Sequence, residues 1–147
     1  MHLRDAVEAD AEHMASLTES PPDVMRNLVH DRTVRVAVEV IEADDAVESQ
    51  RDEQIIGVVS FDAREQTVHV TQIAGSERVC RRLLEEPIRF ARTERMAVEL
   101  LVPEDEQAVR TAAEAKGFME TGNGPRFSGQ PTTRFRLAPN DGGQERS

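Results

Sequence analysis

MAVELLVPEDEQAVRTAAEAKGFMETG, residues 96–122, decides the fold. Met96 to Val102 is a short apolar run with one carboxylate, Glu99, inside it, and Pro103 ends it. A run of this length, bounded by a turn signal, predicts a strand. An acidic turn follows. Asp105 to Lys116 then carries Ala and Val at helical spacing, and Gly117 is the expected stop, because glycine accepts the left-handed conformation that closes a helix. Phe118 to Thr121 reads as the next strand. Strand, helix, glycine stop, strand is an α/β unit.

The chain before this unit follows the same logic. Leu3 to Ala6 predicts a first strand, and Asp10 is placed to N-cap a helix through Leu17. Ser20-Pro21-Pro22-Asp23 breaks the chain, and Val24 to His30 reads as a second helix with Val24, Met25, Leu28 and Val29 apolar. Val34 to Val40 alternates as a half-buried strand does. The acidic stretch from Glu42 to Glu53 predicts a long hairpin loop. Ile55 to Phe61 and Thr67 to Ile73 are the next strands, joined by a tight connection. Gly57 marks a bulge or a close backbone approach. Ser76 to Arg92 has helical spacing, but Pro87 inside it predicts a kinked or split helix. Thr132 to Leu137 is the last strand. The order is β-α-α-β-β-β-α-β-α-β-β. It implies a mixed sheet of six to seven strands with helices on both faces, in one domain over residues 1–138. The polar tail 139–147 is expected to be disordered.

Composition narrows the function classes. The 147 residues suit one domain, and no stretch approaches the ~20 apolar residues of a membrane span. There are 28 acidic residues against 18 basic ones, a net charge of -10, which argues against nucleic-acid and anionic-membrane partners. Only Lys116 is a lysine. Acidic excess with almost no lysine suggests a halophilic protein, kept soluble by hydrated carboxylates. The charged N-terminus does not read as a signal peptide, so the expected location is cytoplasmic. The lone Cys80 cannot form an internal disulfide, and a small buried hydrophobe is its favoured role. His2, His13, His30 and His69 show no metal-ligand spacing, so no metal is expected.

The strand order, the unit at 96–122 and the opening LRDAVEADAEHMASL together resemble the GNAT superfamily of N-acyltransferases over nearly the whole chain. The resemblance implies acetyl-coenzyme A as acyl donor and transfer of an acyl group to a small-molecule or peptide amine by direct attack in a ternary complex. It also implies a V-shaped gap between the strands at 67–73 and 96–102. Backbone near Val70 would hold the pantetheine arm, and the loop Gly75, Ser76, Glu77, Arg78, Val79, Cys80 would hold the pyrophosphate at a helix N-terminus. A homodimer is compatible with the family.

Two departures stand out. In the pyrophosphate loop Gly75 occupies the usual Gln or Arg position, and Arg78 and Cys80 occupy positions usually small. Arg78, with Arg81 and Arg82, would either contact phosphate or block it. In the last helix Glu106 and Ala113 stand where the family has Asn and a catalytic Tyr, and the chain contains no Tyr. Protonation of the leaving thiolate would then fall to water, Cys80 or Ser76. Glu99 is the first candidate for general base, since burial in an apolar run would favour proton uptake. His69 is the second, and Glu65 is a weaker third. The alternative function is a catalytically inactive GNAT-like binding or regulatory module.

Overall fold

The computed structural model describes residues 1–41, 52–126 and 129–139. The strands are β1 (His2–Asp5), β2 (Thr33–Ile41), β3 (Asp52–Arg64), β4 (Thr67–Ala74), β5 (Ala97–Pro103), β6 (Met119–Asn123) and β7 (Thr132–Leu137). The helices are α1 (Ala11–Thr18), α2 (Pro22–Asp31), α3 (Glu77–Glu94) and α4 (Gln107–Ala115), with a 3-10 turn at Glu8–Asp10. The element order is the one the sequence predicts. Most of the acidic loop and the tail from Asn140 onward lie outside the described residues.

The seven strands form one sheet in the order β1-β2-β3-β4-β5-β7-β6. All pairs are antiparallel except β4–β5, which the crossover helix α3 makes parallel. Alternation divides the side chains between two cores. On one face, Val68, Val98, Leu100, Val102 and Phe135 pack under Val79, Leu83, Leu84 and Ile88 of α3 and Val109, Ala112 and Ala113 of α4. On the other face, Val34, Val36, Val38 and Val58 pack under Met14 of α1 and Met25 of α2. α1 packs on β3 and reaches β4, and α2 packs on β2.

Several local expectations change. Pro87 does not split α3, which is one helix of 18 residues. Pro87 is buried, as are Leu83, Leu84 and Ile88, so sheet packing on both sides of the missing N–H holds the helix together. Asp10 does not cap α1 with its side chain. Its carboxylate turns back instead, accepting bonds from Arg4 Nη1 and Nη2 at 2.9 and 3.0 Å and from the Val7 amide at 2.8 Å. Val24 is 47% exposed, so α2 contributes Met25, with Leu28 and Val29 at the margin.

Gly57 fulfils both of its expected roles. A bulge lies beside it on β3: Ala37 pairs with Gly57 but Val38 pairs with Ile55, so Ile56 is the extra residue. The helix also comes close: a Cβ on Gly57 would lie 2.4 Å from Val79 Cγ1 and 2.9 Å from the Ala74 carbonyl oxygen. The missing side chain lets the first turn of α3 sit down on the sheet.

Candidate active site

β4 and β5 begin as neighbours and then part. Their register runs Thr67 with Ala97, Val68 with Val98, His69 with Glu99 and Val70 with Leu100, and it stops there. β4 continues to Ala74 and β5 to Pro103. A second bulge sits at the point of parting. Phe61 pairs with Val70 but Ser60 pairs with Gln72, so Thr71 is the extra residue. A bulge strengthens local twist and bends its strand, which turns β4 away from β5 and opens a wedge between them.

The N-terminus of α3 stands at the end of β4. Ser76 caps it, accepting from the Val79 amide at 3.3 Å, and the Cys80 amide donates to the Ser76 carbonyl at 2.8 Å. The amides of Glu77 and Arg78, in the first turn, have no partner within the helix. Gly75 has φ +146°, and a Cβ there would lie 2.8 Å from Val79 Cγ1. Glycine is therefore required for the chain to turn tightly from β4 into α3.

The side chains of this loop do not take the positions the sequence suggests. Arg78 neither caps nor fills the helix terminus. Its guanidinium lies 3.6 Å from Glu39 on β2, on the side away from β5. Arg81 pairs with Glu77 at 3.7 Å and Arg82 with Glu85 at 3.0 Å. Each arginine is matched by a glutamate, so the loop lacks the net positive side-chain charge expected of it. What remains for an anion is the pair of free amides and the helix dipole.

Cys80 offers no chemistry. Its side chain is fully buried, and its Sγ lies 3.4 Å from the Gly75 carbonyl. Burial, reinforced by the charge of Glu106, pushes its thiol up to about 12. It can serve neither as nucleophile nor as proton donor to a thiolate at neutral pH. Glu106 N-caps α4 without a side-chain cap bond, and Ala113 is buried in the core, so no hydroxyl stands where the family acid would be.

On the sheet face opposite α3, past the edge of the α1–α2 cover, a row of charge crosses four strands. Asp62 of β3 is in register with His69 of β4, His69 with Glu99 of β5, and Glu99 with Arg136 of β7. His69 Nδ1 is 3.9 Å from Glu99 Oε1, beyond hydrogen-bond range but within ion-pair distance. Arg136 Nη1 donates to Glu99 Oε2 at 3.0 Å, and Arg134 lies 3.9 Å from the same carboxylate. Asp62 is paired with Arg32 and, at 3.8 Å, with Arg64. Glu99 is thus a carboxylate held by cations, not one isolated among apolar side chains. Glu65 drops out: it lies in the exposed turn before β4, at the opposite end of that strand from the wedge.

Sequence reading missed a hydroxyl pair beside this row. Ser60 Oγ and Thr71 Oγ1 are 2.6 Å apart. Ser60 is 0% exposed, whereas Thr71 is exposed at the mouth of the wedge. The tight turn at Glu65-Gln66 was the available signal: plain counting outward from it sets residue 60 opposite residue 71, and the bulge moves the backbone pairing on to Gln72 while leaving the two hydroxyls adjacent. No group of three or more His, Cys, Asp or Glu among the described residues could hold a metal. Two cavities, of about 520 and 220 Å³, flank the C-terminal half of α3 and share Ile88 and Arg92, away from the wedge.

The sequence matches no family model and no curated protein. Solved structures do match the fold. Arabidopsis thaliana NAA60 in complex with acetyl-CoA superposes with a TM-score of 0.70 at 14% identity, over 92% of this chain and 97% of that one. The ribosomal-protein-S18-alanine N-acetyltransferase of Escherichia coli gives 0.69 at 12%, over 99% and 98%. An acetyltransferase of the GNAT family from Streptococcus pneumoniae gives 0.63 at 15%, over 93% and 98%. The chain has the GNAT fold.

Proposed function

We propose that the protein is an acyl-coenzyme A-dependent N-acyltransferase, with acetyl-coenzyme A as donor and a primary amine of a small molecule or peptide as acceptor. One observation carries the reading. The wedge after Val70 and Leu100 runs from the capped terminus of α3 on one face to His69 and Glu99 on the other. A donor needs the first feature and an amine the second. Structures of this fold with acetyl-CoA bound support the same assignment.

The residues fit the donor in shape. Arg78 is drawn off to Glu39, Gly75 lets the chain turn directly from β4 into α3, and the free amides of Glu77 and Arg78 at that turn would face a pyrophosphate. Main-chain groups of β4 beyond Val70, unpaired on the β5 side, suit the pantetheine amides. On the acceptor side the amine attacks in its neutral form, and His69 takes the proton its nitrogen must lose once bonded to the carbonyl carbon. Its Nδ1 faces Glu99, which leaves Nε2 for the amine, and the carboxylate stabilises the imidazolium that forms. Glu99, clamped by Arg136, orients His69 rather than acting as the base. The nitrogen forms its bond to the thioester carbon, the C–S bond breaks, and water protonates the thiolate. A thiol of ordinary acidity needs no strong acid to leave.

The buried Ala113 in place of a catalytic Tyr favours a second reading, a GNAT-shaped module without catalysis. Calorimetry with acetyl-coenzyme A in molar KCl, joined to an acetylation assay on a panel of amines, separates the two. The first reading expects binding, and His69→Gln to lower kcat by ~10²–10⁴-fold with little change in donor affinity. Glu99→Gln should cost less than His69→Gln. Absence of binding at millimolar donor would defeat the enzyme reading and leave the module.

A further inference from the structure

We propose that the Thr71 hydroxyl donates a hydrogen bond to the negative oxygen that develops on the thioester carbonyl, and that buried Ser60 fixes its direction. The inference rests on the acyl-transfer reading above. It begins from the bond between the two hydroxyls. Each carries one hydrogen and can accept two bonds. Among the described residues, Ser60 Oγ has no partner except Thr71 Oγ1, at 2.6 Å, and Ser60 has no exposure to water. If Thr71 donated to Ser60, the Ser60 hydrogen would be buried without an acceptor, which is costly. Ser60 therefore donates and Thr71 accepts. The hydrogen of Thr71 is left to point outward, on the exposed side.

That outward hydrogen lies at the mouth of the wedge, where the acyl-transfer reading puts the thioester. Thr71 is the bulge residue, the first on β4 beyond the last pairing with β5. It shares the sheet face of His69, since Ser60 follows Val59, whose side chain packs under α3. In the reaction, the amine nitrogen bonds to the carbonyl carbon and the carbonyl π pair moves onto oxygen. The pair returns as the C–S bond breaks and the thiolate leaves with the bonding electrons. The ammonium proton goes to His69. Thr71 exchanges no proton; it supplies a fixed O–H dipole to the oxygen while that oxygen is charged. A donor whose direction is set before the reaction loses nothing to reorganisation during it.

The test compares wild type with Thr71→Val, Thr71→Ser and Ser60→Ala. Three readouts are used: calorimetric affinity for acetyl-coenzyme A, the infrared carbonyl band of bound carbonyl-¹³C acetyl-coenzyme A, and steady-state kinetics. Thr71→Val should bind the donor within about threefold of wild type, show the carbonyl band at higher frequency, and lose ~10²–10³ in kcat, as removal of one oxyanion donor does. Thr71→Ser should restore the band and most of kcat. Ser60→Ala should leave donor affinity and KM alone and lower kcat by an intermediate factor, because the Thr71 hydroxyl then rotates freely. Thr71→Val with kcat within threefold of wild type and an unmoved band overturns the proposal while acyl transfer stands. Thr71→Ser as impaired as Thr71→Val also overturns it. Failure of the wild-type protein itself to bind the donor overturns both.

Discussion

Gly57→Ala should strain the junction between α3 and the sheet without touching any ionisable group. The new Cβ would meet Val79 Cγ1 at 2.4 Å, Leu83 Cδ1 at 3.0 Å and the Ala74 carbonyl oxygen at 2.9 Å. Ordinary carbon contacts are about 3.5–4.0 Å, so the overlap with Val79 exceeds about 1 Å. The two side chains can turn, but the Ala74 oxygen is backbone in the last residue of β4 and cannot. Overpacking of this kind costs about 1–3 kcal/mol. With an unfolding entropy of about 2.1 cal/mol/K per residue, a chain of 147 residues loses about 3 °C of melting temperature per kcal/mol, so the fall should be about 3–10 °C. Differential scanning calorimetry reads it directly. Val79→Ala removes the closest obstacle, so the double variant should be more stable than the two single losses predict, by about 1 kcal/mol. A Gly57→Ala melting temperature within a degree of wild type, or strict additivity in the double variant, would refute the claim that α3 rests on this glycine.

Two further tests concern buried groups. Cys80, pushed to about 12 by burial and by Glu106, should resist a thiol-specific disulfide reagent at pH 8 in the native protein and react at once in guanidinium; rapid native labelling would contradict its packing. For Asp10, burial raises the carboxyl, but the Arg4 bonds and then the Val7 amide outweigh it and hold it below the usual carboxylate range. Its stabilisation is therefore full above the unfolded value near about 4 and is lost as pH falls through the folded one. Asp10→Asn should cost about 1–3 kcal/mol at pH 7 by urea titration, and the gap from wild type should close as the pH falls through the lowered folded value; a gap that persists in strong acid would count against the Arg4 bond.

What the sequence conveys here is largely what local chemistry controls. Alternation in Val34–Val40 and Thr67–Ile73 and the stop at Gly117 locate strands and helices because side-chain period and backbone freedom act within a few residues. The two residues marked as candidate bases, His69 and Glu99, lie in register on one face because both strands keep strict alternation up to the wedge. Their roles were less legible. Glu99 looks isolated in MAVELLV, yet its partner Arg136 lies 37 residues away across a strand pair. The same limit hides the departure of Arg78 toward Glu39. Pro87 misleads for a related reason: a local rule against proline yields to the burial of its neighbours on the sheet.

The pairing of Arg78, Arg81 and Arg82 with Glu39, Glu77 and Glu85 bears on the medium in which the protein can work. Attraction between exposed arginines and a phosphate fades as electrolyte is added, because the screening length shrinks to about 3 Å at molar concentration. Short hydrogen bonds from main-chain amides fade far less. A phosphate loop whose arginines are already engaged and whose remaining donors are backbone would hold its ligand with an affinity nearly indifferent to ionic strength. If the proposed donor binds here, the engagement of these arginines would then be no loss at high ionic strength, where side-chain charge contributes little to grip.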